Sequence, residues 1–143
     1  MKKVLITGGA GYLGSVLTEV LLNKEYKITI LDNLIYKQTS VAPFCYHDNF
    51  KFILGDVTDN SVLKPLVESH DVIIPLAAIV GMPACKANPE LTVKVNYEQV
   101  KNITEWVGKD QIILIPNTNS QYGSSSEIIT EESPFKPLSL YAE

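Results

Sequence analysis

Short runs of consecutive apolar residues alternate along the chain with longer stretches in which apolar residues recur at helical spacing. The runs are Val4-Leu5-Ile6, Tyr26 to Leu31, Phe50 to Leu54, Asp71 to Leu76 and Gln111 to Pro116. Apolar residues on successive positions suit strands covered on both faces, as in a parallel sheet. Between them, Val16, Leu17, Val20 and Leu21 predict a first helix with Thr18, Glu19 and Asn23 facing outward. Leu63, Leu66 and Val67 predict a second, beginning near Asn60 with Thr58 or Asp59 as N-cap; Pro65 would distort it if it began much earlier. Leu91, Val95, Val100, Ile103 and Val107 predict a third, opened by Asn88 and Pro89 and stopped by Gly108. Residues 33–49 show no periodicity and read as a long connection with room for one short helix, and Ile79 to Pro89 reads as a loop. Strand and helix in alternation imply an α/β fold: a doubly wound parallel sheet of about five strands in the order 3-2-1-4-5, with right-handed crossovers.

The first strand runs directly into Thr7-Gly8-Gly9-Ala10-Gly11-Tyr12-Leu13-Gly14. At this spacing Gly8 turns the chain off the strand end, Gly11 leaves no Cβ to hold a diphosphate away from the backbone, and Gly14 lets the helix pack closely. The N–H groups of the first helical turn, around Tyr12 and Leu13, lack intrahelical acceptors and carry the positive end of the helix dipole. A diphosphate is their natural partner. A tight turn with no ligand would account for glycines equally well, but the second strand ends on Asp32, roughly 20 residues beyond the loop, where a carboxylate can accept both hydroxyls of an adenosine ribose. The loop therefore reads as a dinucleotide site.

Composition narrows the partners. The chain has 143 residues, enough for one core, with 12 Lys plus Arg against 16 Asp plus Glu and a net charge of −4. No basic excess favours nucleic acid or a lipid surface, and no apolar run approaches the roughly 20 residues of a membrane span. A cytoplasmic location is expected. Cys45 and Cys85 lie far apart with no His or Cys at ligand spacing, which predicts reduced thiols and neither a metal site nor a disulfide. His47, beside Asp48, reads as a solvated loop residue.

At this point the chain resembles the extended short-chain dehydrogenase/reductases and, among them, the NAD-dependent nucleotide-sugar epimerases. The resemblance rests on Thr7 to Gly14, Asp32-Asn33, Gly55-Asp56-Val57-Thr58-Asp59, Leu76-Ala77-Ala78, Val95-Asn96 and Tyr122-Gly123, in that order. It implies a Rossmann-like fold with NAD held by Gly8, Gly11, Tyr12, Leu13, Gly14, Asp32, Asn33, Asp56, Val57, Leu76, Ala77, Ala78 and Asn96. Asp56 would accept from the adenine amino group, Val57 would meet the ring, and Asn96 would steady the active site from its helix. The catalytic hydroxyl falls on Thr118, four residues before Tyr122, and the catalytic phenol on Tyr141, which would accept a proton from a sugar hydroxyl while hydride passes to nicotinamide. The implied substrate is a nucleotide sugar and the implied assembly of the full-length protein is a homodimer through two helices per subunit, one of them Asn88 to Val107.

The pattern is not matched everywhere. The lysine expected four residues after Tyr141 falls beyond Glu143, as do the last strands and the sugar-binding lobe, so residues 1–143 read as the amino-terminal NAD-binding domain. Alone it is expected to be inactive, with residues 138–141 frayed. Pro75, Pro116-Asn117 and Gln121 replace a histidine, serines and a small apolar residue common in the family. Dehydratases and decarboxylases of the family place acidic residues just after the catalytic threonine, where this chain has Asn119 and Ser120. That favours an epimerase, with a sugar-nucleotide reductase or dehydratase, or a non-catalytic NAD-binding module, as the alternatives.

Overall fold

The computed structural model describes residues 1–126 and 128–142. Its framework is a five-stranded sheet in the order β3-β2-β1-β4-β5, formed by β1 (Lys3–Thr7), β2 (Lys27–Asp32), β3 (Phe50–Leu54), β4 (Val72–Pro75) and β5 (Ile112–Ile113). Every pairing is parallel, with Val4 opposite Ile28 on one side and Val72 on the other. The order reverses between β1 and β4, the place where the crossovers leave a crevice at the carboxyl ends of the strands.

Successive strand residues point to opposite faces, and both faces are covered. Val4, Ile6, Ile28, Ile30, Val72 and Ile74 pack with Leu22 of α1 (Tyr12–Leu22). Leu5, Leu31 and Ile73 pack on the other side with Leu63 and Val67 of α2 (Asn60–Glu68) and with Val95 and Ile103. This is why the strands are apolar on consecutive positions rather than on alternate ones. Edge strand β3 is only half-covered, and its sequence already admits Lys51.

The first helix is rotated from its expected orientation. Thr18, expected to face outward, is fully buried, while Val16 and Val20 are about half exposed. The Thr18 hydroxyl donates to the carbonyl of Gly14 at 2.7 Å, so it meets the core without an unsatisfied polar group. Close packing at Gly14 draws the Gly14–Thr18–Leu22 row inward, and the valines lie to one side of it. The segment 79–89 also differs from the expected loop: Met82–Ala87 form a short helix, α3, behind Gly81, whose φ is +90°.

Helix α2 starts at Asn60, and its N-cap is Asp59, whose carboxylate accepts from Ser61 N–H at 2.9 Å. The third expected helix is one rod with a wide turn in it: α4 (Pro89–Val93), a π-helical turn at Lys94–Glu98, and α5 (Gln99–Trp106). Asn88 caps it, its side chain accepting from Leu91 N–H at 3.1 Å. β5 is shorter than the apolar run that announces it, and Leu114 and Ile115 lie about half exposed beyond it. Cys45 and Cys85 are free thiols, and among the described residues no His/Cys/Asp/Glu cluster suits a metal and no helix is long and apolar enough to cross a membrane.

His70, unremarked in sequence, is 8% exposed. One ring nitrogen lies 2.6 Å from the Leu66 carbonyl and the other 2.8 Å from the Thr29 hydroxyl. Burial holds its pKa below the ordinary value of 6.5, and the nearby charges of Lys3 and Lys51 act in the same direction against the Leu66 carbonyl and Asp71. The unfolded ring therefore binds a proton at a higher pH than the folded one. The stability that neutral His70 contributes is complete above about pH 6.5 and is lost as the pH falls toward the depressed folded value. Urea unfolding at pH 7.5, 6.5 and 5.5 should show stability falling with pH, and His70→Gln should flatten the curve; an equally steep curve in the variant would place the titration elsewhere.

Candidate functional site

The cleft at the carboxyl ends of the strands begins with the exit of β1. Gly8 has φ +65°, and its N–H donates to the Leu31 carbonyl at 2.8 Å, which hangs the loop on β2. A Cβ on Gly8 would lie 2.5 Å from the backbone of Ala77, so the first glycine is required by contact with the end of β4 as much as by its dihedral. A Cβ on Gly14 would lie 2.5 Å from the backbone of Gly9, which is what lets α1 start tight against the loop. Gly11 differs: a Cβ there would meet only the Gly8 carbonyl oxygen, at 3.2 Å. The fold itself asks least of the central glycine.

Asp32 closes the other side of the loop. It is 7% exposed. One carboxylate oxygen accepts from Ala10 N–H at 3.0 Å and the other from Leu34 N–H at 2.8 Å. The Ser40 hydroxyl donates to the carbonyl of the same Ala10. The residue read as a ribose acceptor thus also fixes the glycine loop, and each oxygen retains capacity for a second hydrogen bond. Asn33 donates from its amide nitrogen to Asp56 at 2.9 Å. The other Asp56 oxygen accepts from the N–H and the hydroxyl of Thr58, at 2.8 and 2.7 Å. Burial pushes the Asp56 carboxyl up, but the bonds from Thr58 and Asn33 outweigh it and hold the pKa below the usual carboxylate range. Asp56 is an anion at neutral pH.

On the far wall, Leu76 N–H donates to the Thr7 carbonyl at 3.0 Å. Beyond it, Asn96 grips Ile79 twice, accepting from its N–H at 2.8 Å and donating to its carbonyl at 2.9 Å. Gln99, buried at 2% exposure, donates to the Ala77 carbonyl at 2.8 Å. Sequence reasoning missed Gln99. Its signal was a polar residue four positions from both Val95 and Ile103, on the apolar row of the helix.

The cleft encloses about 1100 Å³ and is lined continuously from Gly8, Gly11, Tyr12, Leu13 and Gly14, past Asp32, Asn33, Asp56 and Val57, along Leu76, Ala77, Ala78 and Asn96, to Thr118 and Tyr141. The residues proposed from the resemblance to hold NAD and to carry the catalytic hydroxyl and phenol therefore line one space. Thr118 heads a turn at Asn119–Tyr122, its hydroxyl oxygen accepting from Ser120 N–H at 3.2 Å and lying 3.0 Å from the Ser120 hydroxyl. Gly123, with φ +69°, leaves no room for a Cβ beside the Lys136 carbonyl, and the rings of Tyr122 and Phe135 stand 5.5 Å apart. Further along, Leu140, Tyr141 and Ala142 line the cleft. Tyr141 is half-buried in a turn in which Ala142 N–H donates to the Ser139 carbonyl at 2.8 Å. No helix forms in this segment: Leu138 is 77% exposed, and Ala142, at 8% exposure, is the buried end of the turn.

Among the described residues that line the cleft, the only carboxylates are Asp32 and Asp56, and there is no lysine or histidine. The backbone N–H groups at the start of α1 bring the positive end of the helix dipole to the cleft. A glycine loop without a side chain at its centre, free helical N–H groups and a buried carboxylate at the end of β2 fit a dinucleotide.

A sequence model described as the NAD dependent epimerase/dehydratase family matches residues 4–143. The chain belongs to this family. It is similar to UDP-N-acetyl-alpha-D-glucosaminuronate decarboxylase of Bacillus cytotoxicus, 33% identical over 137 residues that cover 92% of this chain and 41% of that protein. It is also similar to dTDP-glucose 4,6-dehydratase of Streptomyces niveus, 28% identical over 98% of this chain and 45% of the relative. The solved structure of UDP-glucuronic acid 4-epimerase from Bacillus cereus, in complex with UDP-glucuronic acid and NAD, superposes with a TM-score of 0.87 at 29% identity, covering 98% of this chain and 48% of that one. The chain thus spans less than half the length of these family members.

The glycines give a test that separates folding from binding. Gly8→Ala and Gly14→Ala should each cost about 1–3 kcal/mol through backbone overlap and, at Gly8, a strained dihedral, whereas Gly11→Ala should stay within about 1 kcal/mol of the parent. Thermal unfolding of the three variants checks the order; an equal loss at Gly11 would mean that the fold, and not a ligand, requires that glycine.

Proposed function

We propose that the protein of which this chain forms part is an NAD-dependent epimerase acting on a nucleotide-bound sugar. The observation that carries the reading is the distribution of acids in the cleft. Asp32 and Asp56 stand at the end away from Thr118, and the positions after Thr118 are Asn119 and Ser120. Eliminating water or losing carbon dioxide at the sugar calls for a further general acid or base there. Epimerisation by removal and return of hydride calls only for a hydroxyl and a phenol.

In this reading the first-turn N–H groups of α1 hold the diphosphate, Asp32 accepts from the adenosine ribose, and Asp56 and Val57 border the adenine. NAD, when bound, supplies the hydride acceptor. Asn96 and Gln99 keep the Ala77–Ile79 wall in register. Thr118 hydrogen-bonds the reacting sugar oxygen, and Tyr141 takes its proton and gives it back. No described cleft residue is cationic, so the lysine expected four residues further on would supply the ammonium that stabilises the phenolate while Tyr141 exchanges the proton. The nucleotide sugar and a homodimeric assembly through the helix at 89–106 belong to this proposal for the whole protein.

Two measurements test it. Titration of the chain should favour NAD over NADP, because Asp32 repels a 2′-phosphate and no described cleft lysine offsets it; Gly11→Ala should weaken NAD binding about tenfold or more by blocking the diphosphate. Equal or tighter NADP binding would refute the cofactor assignment. In a chain extended through the expected lysine, Tyr141→Phe should lower epimerisation by about 10²–10⁴-fold with NAD still bound, and Thr118→Ala should cost less. Near-normal turnover by Tyr141→Phe would overturn the mechanism, and the unextended chain should show no turnover.

A further inference from the structure

At the opposite end of the sheet from the cleft, a recess of about 280 Å³ is lined by Lys3, Lys27 and Lys51, with Thr29 and His70 among its other lining residues. The three lysines come from neighbouring strands and share one face: Lys3 is paired with Lys27, and Thr29 with Lys51. Like charges directly opposite one another in a sheet destabilise it. Among the described residues none of the three ammonium groups has a carboxylate within ion-pair distance, although Asp48 also lines the recess and the charge of Asp71 reaches His70. A protein of net charge −4 and only 12 basic side chains has thus gathered three of them around one small concavity.

Two further lining groups, Thr29 and His70, are both more than nine-tenths buried, and they are hydrogen-bonded to each other at 2.8 Å. The other ring nitrogen of His70 faces the Leu66 carbonyl, which can only accept, so that nitrogen carries the hydrogen. In the neutral ring the nitrogen facing Thr29 is then an acceptor, and the Thr29 hydroxyl spends its hydrogen on it. When His70 takes up a proton, both ring nitrogens become donors. The Thr29 oxygen then accepts, and its hydrogen is free to point into the recess.

We propose that this recess is a binding site for a doubly charged tetrahedral oxyanion of the phosphate or sulfate class, held by Lys3, Lys27, Lys51 and the Thr29 hydroxyl, and that binding is coupled to protonation of His70. The coupling follows from the hydroxyl's single hydrogen. Protonation gives the anion an extra donor and a nearby positive charge, and by linkage the anion makes His70 easier to protonate. The charges that act on the ring are Lys3 from β1, Lys51 from β3 and Asp71 ahead of β4, with Lys27 from β2 and Asp48 at the rim; α2 contributes the Leu66 carbonyl and the Ser69 hydroxyl.

The test is an NMR titration of the His70 ring in the 143-residue chain, from pH 4 to 8 at constant ionic strength. Chloride serves as reference, sulfate as a probe that keeps both charges throughout, and inorganic phosphate and glycerol phosphate as the two phosphate sources. Sulfate should raise the apparent His70 pKa by about half a unit or more over chloride. Lys27→Gln with Lys51→Gln, both at exposed positions, should abolish the rise, and Thr29→Val should reduce it. A larger response to glycerol phosphate than to inorganic phosphate would identify a phosphorylated metabolite as the source, and the reverse would identify the free ion; either supports the site. Equal His70 pKa values in sulfate and chloride, or the same rise in the lysine double variant, would overturn the proposal.

Discussion

Everything in the cleft depends on the close approach of Gly8 to Ala77. β1 and β4 are neighbours in the sheet, and the strand order reverses between them, so a ligand-sized crevice opens where their carboxyl ends diverge. For the crevice to have a floor, the chain leaving β1 must turn immediately and pass against the backbone of the other strand. Any side chain at residue 8 would drive into Ala77. The same turn presents the first N–H groups of α1 to the crevice, so one steric condition produces both the cavity and its anion-attracting end.

Polar groups set into apolar surroundings hold the remainder of the site in place. Asp32 ties the glycine loop through Ala10, and Thr18 satisfies itself on Gly14 so that α1 can lie flush against the sheet. Asn96 and Gln99 secure opposite ends of the Ala77–Ile79 segment. Buried groups of this kind are stabilising only while their partners stay in place. They set position, while the mass of the hydrophobic burial comes from the two apolar layers on either face of the sheet.

The two ends of the sheet differ in their electrostatics. At the carboxyl ends the N-terminus of α1 faces the cleft and the only described lining charges are carboxylates. At the amino ends three lysine side chains gather beside a buried histidine. Backbone dipoles do not change with pH, whereas His70, held by burial below its ordinary value of 6.5, changes charge only on the acid side of that value.

Periodicity along the chain determined the elements and their order, because a strand covered on both faces cannot be written without consecutive apolar residues and a helix cannot be capped without its end signals. The glycine spacing and Asp32 were legible as one end of the cleft for the same local reason: their geometry is specified within one βαβ unit. What lay outside local sequence was the rotation of α1, decided by the contact of Gly14 with Gly9, and the role of Gln99, which takes meaning only from a carbonyl 22 residues away. Outside it too lay the contact of Gly123 with Lys136 and the recess around His70, which required three strands to be laid side by side. These are contacts between residues distant in sequence, and only the folded sheet brings them together.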